Sequence, residues 1–238
     1  MAMREVIAKP LINLGTRAWN KVLRAGFPPR PDHMYECERI GSDYGGYHIV
    51  LTGISKSTII YSLGVGEDAS FDIALIERFG LTVHAFDPTP KSIVWVTSNN
   101  LSNNFKMHNV GIAAFDGEMT FYPPDNPSHV SHTIYKRSEA AHDPISFPVK
   151  RLSTVMKELG HSHIDVLKMD IEGAEYSVID DLLKSGIRPQ QMLIEFHHRF
   201  NNVGVGMTRK AIGTIRKMGY GIFYASASSD DMGFVRVK

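Results

Sequence analysis

From Ser57 onward the sequence alternates short apolar runs with amphipathic segments bounded by helix caps, and that alternation limits the fold more than any other feature. Residues 58–63 read as a buried strand, 68–79 as a helix, 81–86 as a second strand and 90–100 as a second helix. Asp68 and Ser70 both suit the N-cap of the first helix, and Gly80 its C-cap. A third strand is expected over 107–113, with a short extension at 119–122. A helix over 152–159, a strand over 164–169, a helix over 174–184, a strand over 191–196 and a helix over 208–218 follow. Residues 221–227 and 233–237 close the chain as two strands around the polar turn Ser228-Ser229-Asp230-Asp231. Strands and helices in this order predict an α/β fold, a Rossmann-like parallel sheet with helices on both faces. Ligands of such sheets bind at the carboxyl ends of the strands.

Two parts are expected: residues 1–40 as an N-terminal helix and connector, and residues 41–238 as one α/β domain. Ile7, Leu11, Leu14, Ala18 and Val22 recur at helical spacing, among Arg4, Lys9, Arg17, Lys21 and Arg24. This basic amphipathic helix over residues 4–25 suits packing on its own domain, or peripheral contact with an anionic membrane or a partner. Pro28-Pro29-Arg30-Pro31 then forms a stiff connector. The glycines in residues 41–50 suggest a turn followed by a short strand. Residues 123–147, with four prolines and His129, His132 and His142, read as a long loop of the kind that serves as lid or binding loop.

Charge and cysteine usage exclude some classes. Lys and Arg number 26 against 25 Asp and Glu, so nothing supports a dedicated nucleic-acid binder. Cys37 is the single cysteine, which excludes an internal disulfide or a multi-cysteine zinc site and fits a reducing compartment. No apolar run reaches membrane-spanning length. Lys9, Pro10, Asn13 and Arg17 break up what a secretory signal would need. A cytoplasmic protein is expected.

Four motifs fall at strand ends. Leu63-Gly64-Val65-Gly66-Glu67-Asp68-Ala69 joins a strand to a helix and matches the dinucleotide-binding fingerprint with Ala69 at its third glycine position, its glycines letting a ligand approach the backbone; a glycine turn of purely structural origin is the alternative. Asp87 ends the second strand, 23 positions after Gly64, where an acid can accept hydrogen bonds from ribose hydroxyls; a plain turn before Pro88 is the structural alternative. Asp170 and Glu172, in Lys168-Met169-Asp170-Ile171-Glu172-Gly173-Ala174-Glu175, would face the reactive end of the ligand, although Asp170 also suits a helix N-cap. Carboxylates there, with Glu67 and Asp68 on the first loop, favour a cationic ligand such as S-adenosylmethionine over the pyrophosphate of NAD. His197, in Glu195-Phe196-His197-His198-Arg199, is a candidate general base. Asp170, Glu172, Glu195 and His197 also offer ligand types for a divalent ion, but no spacing fixes such a geometry and no metal is expected.

These residues resemble the FkbM-type methyltransferase family, within the class I S-adenosylmethionine-dependent fold. The likeness runs from about Gly41 to the C-terminus and is carried by residues 61–72, 85–90, 149–156 and, most specifically, 164–175. The resemblance implies a seven-stranded sheet whose last two strands form a hairpin, one antiparallel to the rest. It implies that Gly64 and Gly66 hold the methionine part of the cofactor, Asp87 the ribose, Gly111 and Ile112 the adenine, and that Asp170 sits beside the transferred methyl. It also implies O-methylation of a hydroxyl on a sugar, polyketide or lipid-linked glycan, with Asp170, Glu172, His197, His129 and His132 as candidate bases. Where similar chains have Asp-Gly-Gly-Tyr, this one has Tyr44-Gly45-Gly46-Tyr47, so that aspartate's role is not carried over; Asp43 stands one position ahead. The rival readings are an NAD-dependent oxidoreductase, a metal-dependent methyltransferase and a non-catalytic binding module.

Overall fold

The computed structural model describes residues 27, 29–32, 34–123, 132–135, 143–200 and 202–237. The expected helix at residues 4–25, and His129 and His142, lie outside the described residues.

Seven strands form the central sheet: β3 (Ile59–Leu63), β4 (Thr82–Phe86), β5 (Phe105–His108), β9 (Val166–Met169), β10 (Gln191–Glu195), β11 (Tyr220–Ala225) and β12 (Asp231–Arg236). Their order is β11-β12-β10-β9-β3-β4-β5. Strands β10, β9, β3, β4 and β5 run parallel, and β12 runs antiparallel to both β10 and β11. The expected sheet, with its C-terminal hairpin and single reversed strand, is the one found. Two smaller units flank it: a hairpin of β1 (Glu38–Ile40) and β2 (Tyr47–Ile49), and a three-stranded sheet of β6 (Gly111–Ile112), β7 (Gly117–Phe121) and β8 (Ile145–Lys150).

Period-two alternation sends successive residues of each central strand to opposite faces. Tyr61, Leu63, Leu167, Met169, Met192 and Ile194 face one core. That core is covered by α3 (Leu152–Leu159), α4 (Glu175–Ser185) and α5 (Gly204–Lys217), which contribute Leu152, Val155, Ile179, Leu182, Ile212 and Ile215. Ile60, Val83, Ala85, Val166 and Leu193 face the other core. There α1 (Ser70–Phe79) packs Phe71, Leu75 and Ile76, and the β1–β2 hairpin adds Ile40, Tyr47 and Ile49. Trp95 and Val96 of α2 (Pro90–Ser98) pack against the same side. Gly80 ends α1 in the left-handed conformation, its N–H bonded to the carbonyl of Ile76, as its sequence position predicts. Pro90 stands in the first turn of α2, where its missing N–H costs nothing.

Two expectations need correction. The strand expected over 107–113 is broken: Phe105–His108 pairs with β4, whereas Gly111–Ile112 leaves the sheet to pair with β8. A tight turn, in which the Val110 N–H bonds the His108 carbonyl, redirects the chain between them. The loop expected over 123–147 ends early, because Ile145–Lys150 is a strand. Its Pro148 argues against a central strand, yet Phe147 and Val149 alternate with exposed neighbours and bury against Phe121 and Ala113. No helix among the described residues is long and apolar enough to cross a membrane.

A histidine cluster bridges β4, β5 and the turn after α3. His84 Nδ1 lies 3.1 Å from His108 Nε2, the His84 ring meets His161 edge-on, and Tyr61 Oη lies 2.8 Å from His161 Nδ1. Burial, then the neighbouring rings, lower His84 from 6.5 to about 4. Between those values the unfolded chain binds the proton and the folded chain does not, so this group contributes stability above pH 6.5 that is lost as pH falls toward 4. The melting temperature should therefore drop across that window, and His84→Phe should make the drop shallower; an unchanged slope would show that the cluster does not carry it.

Candidate functional site

The main cavity, about 480 Å³, opens at the carboxyl ends of β3, β4, β9 and β10. Three segments form its floor. The Gly64–Asp68 turn follows β3, Asp87 ends β4, and Asp170–Glu172 follows β9. Gly64, Gly66, Glu67, Asp68, Asp87, Gly111, Ile112, Asp170 and Glu172 all line it, so the tertiary structure gathers nine sequence-selected residues at one place.

Of the two readings the sequence allows for Gly64, ligand approach and a structural turn, the geometry supplies a reason for the structural one. A Cβ on Gly64 would lie 1.8 Å from the backbone oxygen of Asp170, and its φ is +82°. The glycine is needed because two strand ends touch there. The Gly64 N–H bonds the Phe86 carbonyl at 2.9 Å, and the Asp170 N–H bonds the Leu63 carbonyl at 2.9 Å. Lys168, buried on the α1 face of β9, donates from Nζ to the Gly64 carbonyl at 2.5 Å.

Asp87 is 6% exposed and holds the turn from below. One carboxylate oxygen accepts from the Val65 N–H (3.0 Å), the Gly66 N–H (3.1 Å) and the Ser92 hydroxyl (2.9 Å). The other accepts from the Thr89 N–H (2.9 Å) and the Thr89 hydroxyl (2.6 Å). Five donors fill a group with about four lone-pair sites. A ribose at Asp87 must therefore exchange with a protein donor. The neighbouring hydroxyls of Thr89 and Ser92 can rotate away, whereas the backbone donors cannot.

Neither Asp68 nor Ser70 is the N-cap expected of it: Ala69 holds that place without a side-chain cap bond, and Asp68, one residue earlier, accepts from the Ser70 N–H at 2.7 Å and from the Ser42 hydroxyl at 2.6 Å. Burial pushes its carboxyl up, but the bonds from Ser42 and Ser70 outweigh that and hold it below the usual value. The second bond anchors the Ser42–Gly45 turn against the glycine turn. Tyr44 stands at the cavity mouth, 84% exposed. Glu67 is solvent-exposed at the rim.

Sequence reasoning did not single out Glu175, which organises the far side. The residue is fully buried. Its carboxylate accepts from the Ile171 N–H and the Gly173 N–H at 3.0 Å each, and lies 2.9 Å from His197 Nδ1. The turn between β9 and α4 thus folds back onto the first residue of α4, with Glu172 at φ +53° and Gly173 at φ +107°. An acid at the first position of a helix, two residues after a glycine, was the available signal.

His197 lies behind this wall rather than on the cavity. Its Nε2 is 3.6 Å from Asp170 and 3.5 Å from Glu172. Burial opposes its charge, but Glu175, then Glu172 and Asp170, raise the ring to about 10. Held as an imidazolium, it balances carboxylates; a general base needs a free neutral nitrogen, so the expectation of His197 as base is at odds with its placement. Asp170, Glu175 and His197 offer ligand atoms within 4.8 Å of one another. Glu175 is a poor ligand, however, since backbone N–H groups and His197 already occupy it. Of the loop histidines, His132 lines the cavity. Beside it, Thr133 donates to the Glu172 carbonyl at 2.8 Å, so part of the long segment reaches the site.

The Methyltransferase FkbM domain family matches residues 56–222. The chain belongs to the FkbM methyltransferase family. The family's methyl donor is S-adenosylmethionine. Two curated relatives are named "Probable methyltransferase-like protein 24": the Rattus norvegicus protein is 28% identical and the Homo sapiens protein 30% identical, each over 146 residues. Those matches cover 60% of this chain but only about a third of the relatives, 34% and 33%. Aeropyrum pernix fibrillarin, solved with natively bound S-adenosyl-L-methionine, overlays with a TM-score of 0.42 at 11% identity, across 87% of this chain and 84% of that one. The family assignment rests on the sequence match.

Two substitutions test this geometry. Gly64→Ala should cost roughly 3–5 kcal/mol of stability in urea unfolding, combining a left-handed backbone with a clash against backbone oxygen; a loss under about 1 kcal/mol would mean the strand ends can part freely. Asp87→Asn places an amide N–H₂ against N–H donors, and should weaken S-adenosylhomocysteine binding more than tenfold by calorimetry.

Proposed function

We propose that this FkbM-family chain binds S-adenosylmethionine in the cavity at the strand ends and methylates a hydroxyl acceptor, on a sugar, polyketide or lipid-linked glycan. The observation that carries the proposal is the convergence of the Gly64–Gly66 turn, Asp87, Gly111–Ile112 and Asp170–Glu172 on one wall. When bound, the cofactor supplies a methyl group on a positively charged sulfonium. Gly64–Gly66 and Asp87 would hold its amino-acid and ribose parts, and Gly111 and Ile112, buried beside Pro88, would flank its adenine.

Asp170 and Glu172 present negative charge where the sulfonium is expected, which attracts the donor and orients it. The acceptor proton needs a base on the cavity wall. Asp170, Glu172 and His132 line it, and His197 does not, which removes His197 from the leading candidates. Orientation of the two reactants can supply much of the rate. NAD is disfavoured because Glu67 and Asp68 flank the turn that would cradle its pyrophosphate. A cytoplasmic setting, the division at residue 40 and a peripheral role for the basic N-terminal segment belong to the same proposal.

Calorimetric titration with S-adenosylhomocysteine and, separately, with NADH tests it. Binding of the first alone is expected; binding of NADH alone would turn the cavity into a dinucleotide site, and binding of neither would favour a non-catalytic module. Asp170→Ala should abolish methyl transfer, and a fully active variant would remove Asp170 from the reacting centre.

A further inference from the structure

The cavity runs along the sheet from β4 to β11, and its two halves differ in chemistry. The glycine turn, Asp87 and Gly111 belong to the side of β3, β4 and β6. Beyond β9, on β10 and β12, stands a pair of acids without a counterpart. Glu195 and Asp231 are direct partners across the antiparallel β10–β12 ladder. Residues so placed point to the same face, and like charges there destabilise a sheet. Both line the cavity, and neither side chain has a hydrogen bond or ion pair among the described residues.

The neighbouring cations are engaged elsewhere. Arg199 pairs with Asp230. Arg39 donates to the carbonyls of Ser42 (2.6 Å) and Asp43 (3.0 Å) and lies 3.7 Å from the Asp43 carboxylate. His197 is bound to Glu175. Lys168 is directed at the Gly64 carbonyl. Burial, then the adjacent charge of Asp170, raises Glu195 to about 8 and also raises Asp231; His197 acts against the rise at Glu195, and Arg39, Arg199 and His197 at Asp231, but from a distance and without cancelling it. A sheet does not retain such a pair for stability; functional sites are where local rules are broken.

We propose that Glu195 and Asp231 form a subsite for an organic ammonium group on the acceptor, so that this chain methylates an amine-bearing molecule and rejects phosphorylated or carboxylated ones. The inference rests on the reading of the cavity as a methyl-transfer site. The pair lies two and three strands from β3, roughly 10–14 Å at about 4.8 Å per strand. That places it away from the glycine turn and Asp87, on the side left for the acceptor. Aromatic groups complete a surface suited to an alkylammonium. Tyr44 stands at the mouth, and Tyr224, stacked on His48 at 3.6 Å, lines the same side. An anionic acceptor would meet the charges of Asp231 and Asp170, joined by Glu195 once it ionises above about pH 8, whereas an ammonium group draws the Glu195 proton off by favouring its charged form.

Matched disaccharides test the subsite without knowledge of the natural acceptor. S-adenosylhomocysteine is titrated first into the full chain; absence of binding there defeats the cofactor reading itself. The saturated protein is then titrated with the glucosamine disaccharide, its N,N′-diacetyl form and digalacturonic acid. The diamine should bind at least tenfold more tightly than the acetylated sugar, the preference should fall in 0.5 M salt, and the diacid should not bind. Glu195→Gln and Asp231→Asn, which remove charge with little change of shape, should each cut the preference to under threefold while the melting temperature holds or rises. Equal binding of the acetylated sugar, binding of the diacid, or binding of no sugar overturns the proposal. Loss of S-adenosylhomocysteine affinity in both variants, with the diamine preference intact, would reassign the pair to the cofactor's own ammonium group and overturn it as well.

Discussion

The backbone contact between Gly64 and Asp170 is the constraint on which the site depends. No side chain fits between that glycine and the Asp170 carbonyl oxygen. Because β3 and β9 end side by side at this point, the glycine turn and the Asp170 turn leave the sheet at the same level and diverge above it. The cavity is the space between them. Lys168 reinforces the junction from the α1 face by binding the Gly64 carbonyl. This is the crevice that parallel α/β sheets form where strand order reverses; here β3 is followed in sequence by β4 on one side, and β9 packs on the other.

Buried carboxylates then set the shape of each turn. Asp87 gathers the N–H groups of Val65 and Gly66, and Glu175 gathers those of Ile171 and Gly173. Each satisfies backbone donors that would otherwise be buried unpaired at a cost of about 1–3 kcal/mol apiece. Asp68 does the same for Ser70 and ties in the Ser42 hydroxyl. The acidity of the site therefore has two origins. Asp68, Asp87 and Glu175 are engaged in holding loops, whereas Glu195 and Asp231 face the cavity with no side-chain hydrogen bond among the described residues. Composition alone merges these groups, and only hydrogen-bond geometry separates them.

The fold was legible to the extent that it follows from periodicity and caps. Tyr61 and Leu63 against Ile60, or Leu167 and Met169 against Val166, show the alternation of a strand buried on both faces, and Gly80 ends its helix where expected. Legibility failed where a local rule yields to packing. The prolines and histidines of residues 123–147 read as loop to the end of that stretch, whereas β8 already begins at Ile145. The turn at Asn109–Val110 divided one apolar run between two sheets. In the site, Gly64, Asp87, Asp170 and Glu172 stood out because strand ends with glycines and acids are chemically unusual. Glu175 did not, since an acid in a first helical turn is common. His197 was visible as a residue but not as a cation, because its charge depends on three carboxylates brought to it by β9 and α4.

By itself, the sequence determined the alternation of strands and helices, the two closing strands around a polar turn and the membership of residues 56–222 in the FkbM family, whose resemblance implied the reversed strand. These follow from hydrophobic period, caps and motif, which are local properties of a chain. The tertiary structure alone decided which glycine is required by a neighbouring backbone, which acids are bound inward and which face outward, and that Glu195 stands opposite Asp231. These depend on strand register and on distances between residues far apart in sequence, and no local pattern encodes them.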